Sequence, residues 1–577
     1  MNRPSQGGGS GADWERMTPV GILADQYWQG VMRRNPTLAT FFGDFQYNDR
    51  LPDVGPAGRA AEQAALEELL TGLDAVAGSP APPEGEDAIT ADMLRQAAAA
   101  GLAAVRLRLD EMAVDQMEGP QVWLPELLNW HPTDTPRYVD ELIARYSGFS
   151  AYMDAYLQNL ADGVRDGRTA PRAAVERVVA QLRALLAAPA QESPLAAPAP
   201  GLAPRPATEL VRAIADVVYP AYQRMLDYLA DEYLERHARE QPGVWSVTDG
   251  EEIYAVLARQ HTTTDLTPAE LHAIGRDDLA GIHAEMRAIM GRLGASSESI
   301  RGFTERLTHA PENLPSTRAE IVQTAERLLA EAQAALPRAF GHLPRTPVVV
   351  RAIEEYRERD MVAAFYNQPA ADNSRPGTFY VNTFEPPSRP RHTLPALVFH
   401  ESVPGHHLQI AVAQETAGLP AFRRMSAGFM ANAFVEGWAL YTERLSDELG
   451  LYPDDLARFG MLGYQAWRAC RLVVDTGLHA LRWSRDQAIQ FFFENVGLTE
   501  RETVNEVDRY IIWPGQALAY KVGQREIERL RQEAAARQGA RFDLRAFHDE
   551  VLRHAAVPLS TLERIVETAF PSEALRR

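Results

Sequence analysis

The sequence contains one cysteine and one lysine in 577 residues. A single thiol, Cys470, excludes an internal disulfide framework and any cysteine zinc cluster. The scarcity of lysine is stranger: Lys and Arg together number 58, and all but Lys521 are arginine. A bias that strong turns interchangeable lysines into arginine. Lys521 is therefore expected where a compact ammonium does something a planar guanidinium cannot. Basic residues are also outnumbered, 58 against 78 acidic ones for a net charge of −20, which argues against nucleic acid as the main partner. No apolar run reaches the roughly 18–20 residues of a membrane-spanning helix. The opening MNRPSQGGGSGADW has no apolar h-region and reads as a flexible leader over residues 1–14, so the expected setting is the cytoplasm, with no membrane partner. Hydrophobic residues at 46% and charged residues at 24% make an ordinary globular balance.

Most of the chain carries apolar residues at three-and-four spacing, the mark of amphipathic helix. Such stretches run over 21–32, 60–76, 137–161, 173–186, 220–239 and 267–293. The last opens on Thr267-Pro268-Ala269-Glu270, a cap residue, a first-turn proline and a glutamate three after the cap. Residues 187–206, rich in Ala, Pro and Ser, read as a loop. Near residue 346 the texture changes to short β-branched runs at 347–353, 363–366 and 378–382, which predict a small antiparallel sheet. Helical texture resumes at about Leu394. The predicted organisation is a helical lobe over 15–345 and a second lobe over 346–577 containing the sheet.

Four of the fourteen histidines, His392, His400, His406 and His407, fall just after these strands. The segment His400-Glu401-Ser402-Val403-Pro404-Gly405-His406-His407 resembles, without matching, the zinc motif H-E-x-x-H. In that motif two histidines four apart share a helix face, and the glutamate acts on the bound water. Here the fourth position is Pro404, which cannot sit inside a regular helix. A bulge absorbing two residues would bring His406 to the ligand position, with His407 as the alternative ligand or a supporting group. A third ligand is needed, and Glu436 supplies a carboxylate in a strongly apolar stretch where an unpaired one is costly. Glu443 stands seven residues on, on the same face. An ion pair of Glu436 with Arg468 or Arg471 is the competing explanation. A strand beside such a site suits a peptidase, since an extended substrate can add to a sheet edge.

Together, His400-Glu401-x-x-Pro404-Gly405-His406-His407 and Glu436-Gly437-Trp438-Ala439 resemble the signature of the domain of unknown function 885 family. Asn373-Ser374-Arg375-Pro376-Gly377 before Tyr380-Val381-Asn382, the run from Arg471 to His479, and the run from Arg509 through Pro514-Gly515-Gln516 to Tyr520-Lys521 and Gly523 extend the likeness. Gln260-His261-Thr262-Thr263-Thr264 and Glu285-Met286 carry it more loosely into the first half. The resemblance implies a bacterial, mostly α-helical, two-lobed zincin-like body. It further implies a small sheet beside the metal and a deep central channel, as in thimet oligopeptidase and angiotensin-converting enzyme. It also favours His406 over His407 as ligand.

On this reading one zinc is held by His400, His406 and Glu436, and Glu401 is the general base. Tyr510, Tyr520 and His479, the last oriented by Asp475, are candidates to stabilise the oxyanion. Lys521, assisted by Gln516 and Arg509, could hold a substrate carboxylate, while the strand ending at Asn382 aligns the peptide. The expected activity is hydrolysis of short peptides, carboxypeptidase- or oligopeptidase-like. The alternatives are an amidase or esterase acting on a small molecule, and a non-catalytic binding protein stapled by its metal. A homodimer is compatible with the sequence.

Overall fold

The computed structural model describes residues 17–355, 358–369, 375–425 and 431–572. The leader over 1–14, and Asn373 and Ser374 of the motif before the third strand, lie outside them. The fold is mostly α-helical with one three-stranded sheet. Among the described residues no helix is long and apolar enough to cross a membrane. The chain divides into two compact units, Met1–Arg239 with Gly418–Met425, and Glu240–Ala417 with Ser426–Arg577.

The first unit is built from helices whose starts follow local chemistry. At Pro19–Arg34 the Thr18 side chain accepts from the Gly21 amide, and proline fills the first position. The stretch expected as one helix over 137–161 is two, Pro136–Ser147 and Phe149–Asp166, divided at Gly148. Glycine is a poor helix former, and the apolar period continuing through it hides the break. Residues 187–206, expected as a loop, form short 3-10 turns before a helix begins at Pro204. Tyr146, Phe149, Met153, Val178, Leu182 and Tyr222 are central to this unit's core.

Seven helices carry the argument in the second unit: α1 (Pro268–Arg292), α2 (Leu394–Glu401), α3 (His406–Glu415), α4 (Asn432–Glu448), α5 (Asp455–His479), α6 (Glu500–Ile512) and α7 (Ala519–Gln538). The predicted capping box at the head of α1 forms: Thr267 and Glu270 each accept the other's backbone N–H. Residues 240–345, grouped with the first half by texture, belong to this second unit. The reason is packing, because α1 lies along α5 with Gly275 against Leu472, Val473 and the Ala469 carbonyl.

The sheet comprises β1 (Val348–Ala352), β2 (Ala364–Asn367) and β3 (Gly377–Val381), in the order β1-β3-β2. It is mixed rather than antiparallel. β3 lies parallel to β1, from Val348 opposite Gly377, and antiparallel to β2, from Ala364 opposite Val381. The short runs alone could not reveal that the chain inserts its third strand between the first two. The consequence is functional. β3, expected to align a peptide, is central and spends both its edges within the sheet, so an added strand could join only β1 or β2. α2 packs against β2.

The tightest helix pair is α4 with α7. A Cβ on Gly523 would stand 1.7 Å from the Ala433 carbonyl oxygen, and one on Gly437 would stand 2.4 Å from the Gly523 Cα. The two backbones therefore touch through glycines, and α4 cannot be displaced without α7. Gly523→Ala is expected to cost at least about 2–3 kcal/mol through overpacking. Gly281→Ala, at an exposed position on α1 with nothing within 4 Å of the new Cβ, should gain about 0.5–1 kcal/mol. Chemical denaturation of the two variants checks both signs.

Candidate metal centre

α2 stops at Glu401 because Pro404 has no N–H with which to continue it. Residues 402–405 turn the chain, through a cis Val403–Pro404 peptide, and α3 begins at His406. The expected bulge is thus a full break between two helices. Gly405 is obligatory there, since a Cβ would sit 1.9 Å from the His400 carbonyl oxygen. Two bonds hold the turn: the His407 amide donates to the Ser402 carbonyl at 3.0 Å, and the buried Trp438 indole Nε1–H donates to the Pro404 carbonyl at 2.9 Å.

The break brings His400 and His406 together, with ring centroids 4.9 Å apart and planes at 88°. From α4, the Glu436 carboxylate reaches both. Its Oε2 lies 3.9 Å from His400 Nε2 and 3.7 Å from His406 Nε2, and one ligand atom from each of the three residues falls within 4.8 Å of the others. These separations are too long for hydrogen bonds. They are near the roughly 3.4 Å between ligands that share a tetrahedral zinc at about 2.1 Å bonds. Burial pushes both imidazoles below their ordinary range, which keeps them neutral with lone pairs available. His400 Nδ1 contacts the buried Glu443 Oε1 at 2.9 Å, the carboxylate–histidine arrangement that fixes the tautomer of a metal ligand. The donor set, its spacing and this support all fit a divalent ion.

Glu401 is half-buried beside this cluster and has no hydrogen-bond partner among the described residues. Burial, and then the negative charge of Glu436, raise its carboxyl to about 8. A dication at the three ligands would oppose that shift. His407 is directed elsewhere, with Nδ1 2.9 Å from the Tyr366 hydroxyl on β2 and Nε2 3.1 Å from the Thr346 carbonyl.

Several of the other expected site residues are spent on internal partners. The Tyr510 hydroxyl donates to Glu506 at 2.6 Å and accepts from Arg471 Nε and Trp467 Nε1. His479 accepts from the Val244 amide at Nδ1 and meets the Tyr510 carbonyl at Nε2, 2.9 Å away. Asp475, expected to orient His479, instead accepts from the Tyr254 hydroxyl and the Gly515 amide. Asn382 closes a loop, donating to the carbonyls of Glu358, Met361 and Val362, and Arg509 donates to Gln516. Only Tyr520 keeps a hydroxyl without a hydrogen-bond partner among the described residues. It stands one turn before Gly523, where α7 touches α4, with the Arg471 guanidinium 4.3 Å from its ring.

Lys521 is buried and donates to Gln465 Oε1 at 3.1 Å and to Gln524 Oε1 at 2.9 Å. Gln465 in turn donates to Glu443 at 2.9 Å. The lone lysine thus ends a chain that runs Lys521–Gln465–Glu443–His400. Burial lowers its ammonium to about 8. A point charge fits between two amide oxygens where a guanidinium fork does not. Gln465 was not singled out in the sequence, and Trp438 only as part of the Glu436-Gly437-Trp438-Ala439 run, because both supporting contacts join residues far apart in the chain. Glu443 did carry a signal, as a second carboxylate two turns beyond Glu436 on the same face.

A cavity of about 1320 Å³ lies in this unit. Its wall includes Leu397, one turn before His400, together with Tyr464 and Trp467 of α5, Glu506 of α6, and Met361–Ala363 at the approach to β2. His400, His406 and Glu436 are not part of that wall.

A family model described as "Bacterial protein of unknown function (DUF885)" matches residues 36–566. Among solved structures, one described as a "putative lipoprotein" from Colwellia psychrerythraea is 28% identical, with a TM-score of 0.87, covering 95% of this chain and 98% of that one. A second, a "putative lipoprotein of unknown function" from Shewanella oneidensis, is 18% identical with a TM-score of 0.78, covering 95% and 100%. No curated protein matches the chain.

Glu443→Gln is expected to weaken zinc binding about 10–100-fold by loosening His400. His407→Ala should leave it near the parental value. Competitive titration against a chromophoric chelator measures both.

Proposed function

We propose that this chain, which belongs to the bacterial DUF885 family, is a metal-dependent hydrolase that cleaves peptide bonds in short peptides. The observation that carries the reading is the convergence of His400, His406 and Glu436, with a further carboxylate, Glu401, directly beside the first ligand. Zinc is the natural occupant of two imidazoles and a carboxylate, and when bound it would polarise a carbonyl and acidify water.

The chain's own residues have separable tasks. His400, His406 and Glu436 hold the ion, and Glu443 fixes the His400 ring through Nδ1. Glu401 accepts a proton from the attacking water at its carboxylate and delivers it to the departing amine nitrogen. Its lack of a hydrogen-bond partner among the described residues supports that role. The Tyr520 hydroxyl, without a hydrogen-bond partner among the described residues, is the candidate donor to charge building on the carbonyl oxygen. An extended peptide can pair with the edge strand β2, against which α2 packs. The 1320 Å³ cavity offers room for a few residues of such a peptide.

The Colwellia relative's description as a lipoprotein favours a membrane-anchored setting over the cytoplasm expected from the sequence. There the natural substrates would be peptides outside the cytoplasm, and cell fractionation distinguishes the two locations.

Elemental analysis of the purified protein should find about one zinc per chain, lost in His406→Ala and Glu436→Ala. Glu401→Gln should keep the zinc and lower turnover of a short-peptide library by at least about 100-fold. A protein that takes up no divalent metal when zinc is supplied, or a Glu401→Gln variant with full turnover, ends this reading.

A further inference from the structure

Four arginines are buried among the described residues, and three of them are partnered. Arg145 donates to the carbonyls of Arg50 at 2.8 Å and Tyr47 at 3.0 Å, and Arg423 pairs with Glu86. Arg471 binds Glu506 at 3.1 Å and the Tyr510 hydroxyl at 3.0 Å. Arg468 differs. It is 7% exposed, its Nε and Nη1 are buried without an acceptor, and among the described residues it makes neither a hydrogen bond nor an ion pair.

What Arg468 does touch are rings. Its guanidinium carbon lies 4.9 Å from the centroid of Tyr464 and 4.9 Å from that of Trp467, and both side chains line the 1320 Å³ cavity. One turn earlier on α5, Gln465 reaches Glu443, the partner of His400. The same stretch of helix therefore serves the candidate metal centre on one side and the cavity wall on the other. The Arg468 charge also acts on Glu401 and Glu443, holding both carboxyls lower than they would otherwise be.

A guanidinium stays charged under all ordinary conditions. Burying its N–H donors without a hydrogen-bonded acceptor costs more than stacking on two rings returns. The neighbouring carboxylates are already engaged: on the reading proposed above, Glu436 holds metal and Glu401 handles a proton, while Glu443 is bound by His400 and Gln465. The missing acceptor must then arrive with the substrate. Lys521, expected from the sequence to hold a substrate carboxylate, is committed to Gln465 and Gln524. We propose that Arg468 is a substrate-anchoring residue. It binds a carboxylate of the peptide, and the rings of Tyr464 and Trp467 guide the chain between the cavity and the His400–His406–Glu436 centre. Such an anchor makes the enzyme selective for peptides with a free carboxy terminus or an acidic side chain near the scissile bond.

The inference rests on the peptidase reading for its substrate class, but a binding measurement tests it separately. Calorimetry on the zinc-supplied, full-length Glu401→Gln protein, which keeps peptides intact, would compare three probes: acetyl-Ala-Ala-Ala as the free acid, its amide, and acetyl-Ala-Glu-Ala amide. One of the two carboxylate probes should bind at least about 10-fold tighter than the neutral amide. Which one identifies the source of the carboxylate. Adding Arg468→Gln should abolish the preference with the zinc content unchanged. Arg468→Lys, which keeps the charge and reports if the Gln variant does not fold, should reduce it several-fold. The proposal is overturned if no probe binds, if acids and amide bind alike, or if the preference survives unchanged in the Arg468 variants. A carboxylate preference that depends on Arg468 in a protein without peptide turnover would retain the anchor and remove the peptidase. Turnover without such a preference would do the reverse.

Discussion

The hydrogen bond from the Trp438 indole to the Pro404 carbonyl ties together everything the candidate centre needs. Pro404 sits in the break that separates His400 at the end of one helix from His406 at the start of the next. Trp438 is two residues beyond Glu436 on α4. That side chain therefore links the turn between the two histidine-bearing helices to the helix that carries the carboxylate, against which both also pack. α4 is itself fixed by backbone contact with α7 through Gly437 and Gly523. The three ligand atoms converge from three helices, none free to drift without disturbing a close-packed neighbour.

Charge follows the same economy. Burial raises the carboxyls of Glu401 and Glu443, and the charges of Glu436 and Glu443 raise that of Glu401 further. Their balance comes from a small set of cations: the ion the ligands would hold, Lys521 acting through Gln465, and Arg468. The contrast between the last two is instructive. Lys521 is held by two amide oxygens and serves as support, whereas Arg468 has no acceptor among the described residues. Buried donors are normally satisfied, and the substrate carboxylate proposed above would satisfy those of Arg468.

Much of the fold was legible in the sequence because helix is a local structure. The capping box at Thr267 and the apolar period of the long helices require only neighbours three and four residues apart, and the β-branched runs at 347–353 and 363–366 mark strands for similarly local reasons. The sheet's order was not legible: inserting β3 between β1 and β2 is a pairing of distant segments, and the same runs would fit an antiparallel meander. The error carried a price for mechanism, since it put the expected peptide-docking edge on the central strand.

For the site, residue chemistry alone marked the candidate ligand types and called for a break. Glu401 beside His400, a proline where a helical ligand would stand, and Glu436 in an apolar stretch follow from residue chemistry alone. Tertiary structure decided which histidine joins the cluster, because the direction of the turn at Gly405 sends His406 towards Glu436 and His407 towards Tyr366. It also withdrew Tyr510, His479, Asn382 and Lys521 into internal hydrogen bonds and left Tyr520 and Arg468 without a hydrogen-bond partner among the described residues. The physical reason is that a buried polar side chain announces only that it needs a partner. Whether that partner is a distant part of the same chain or a ligand is settled by packing, which no run of neighbouring residues encodes.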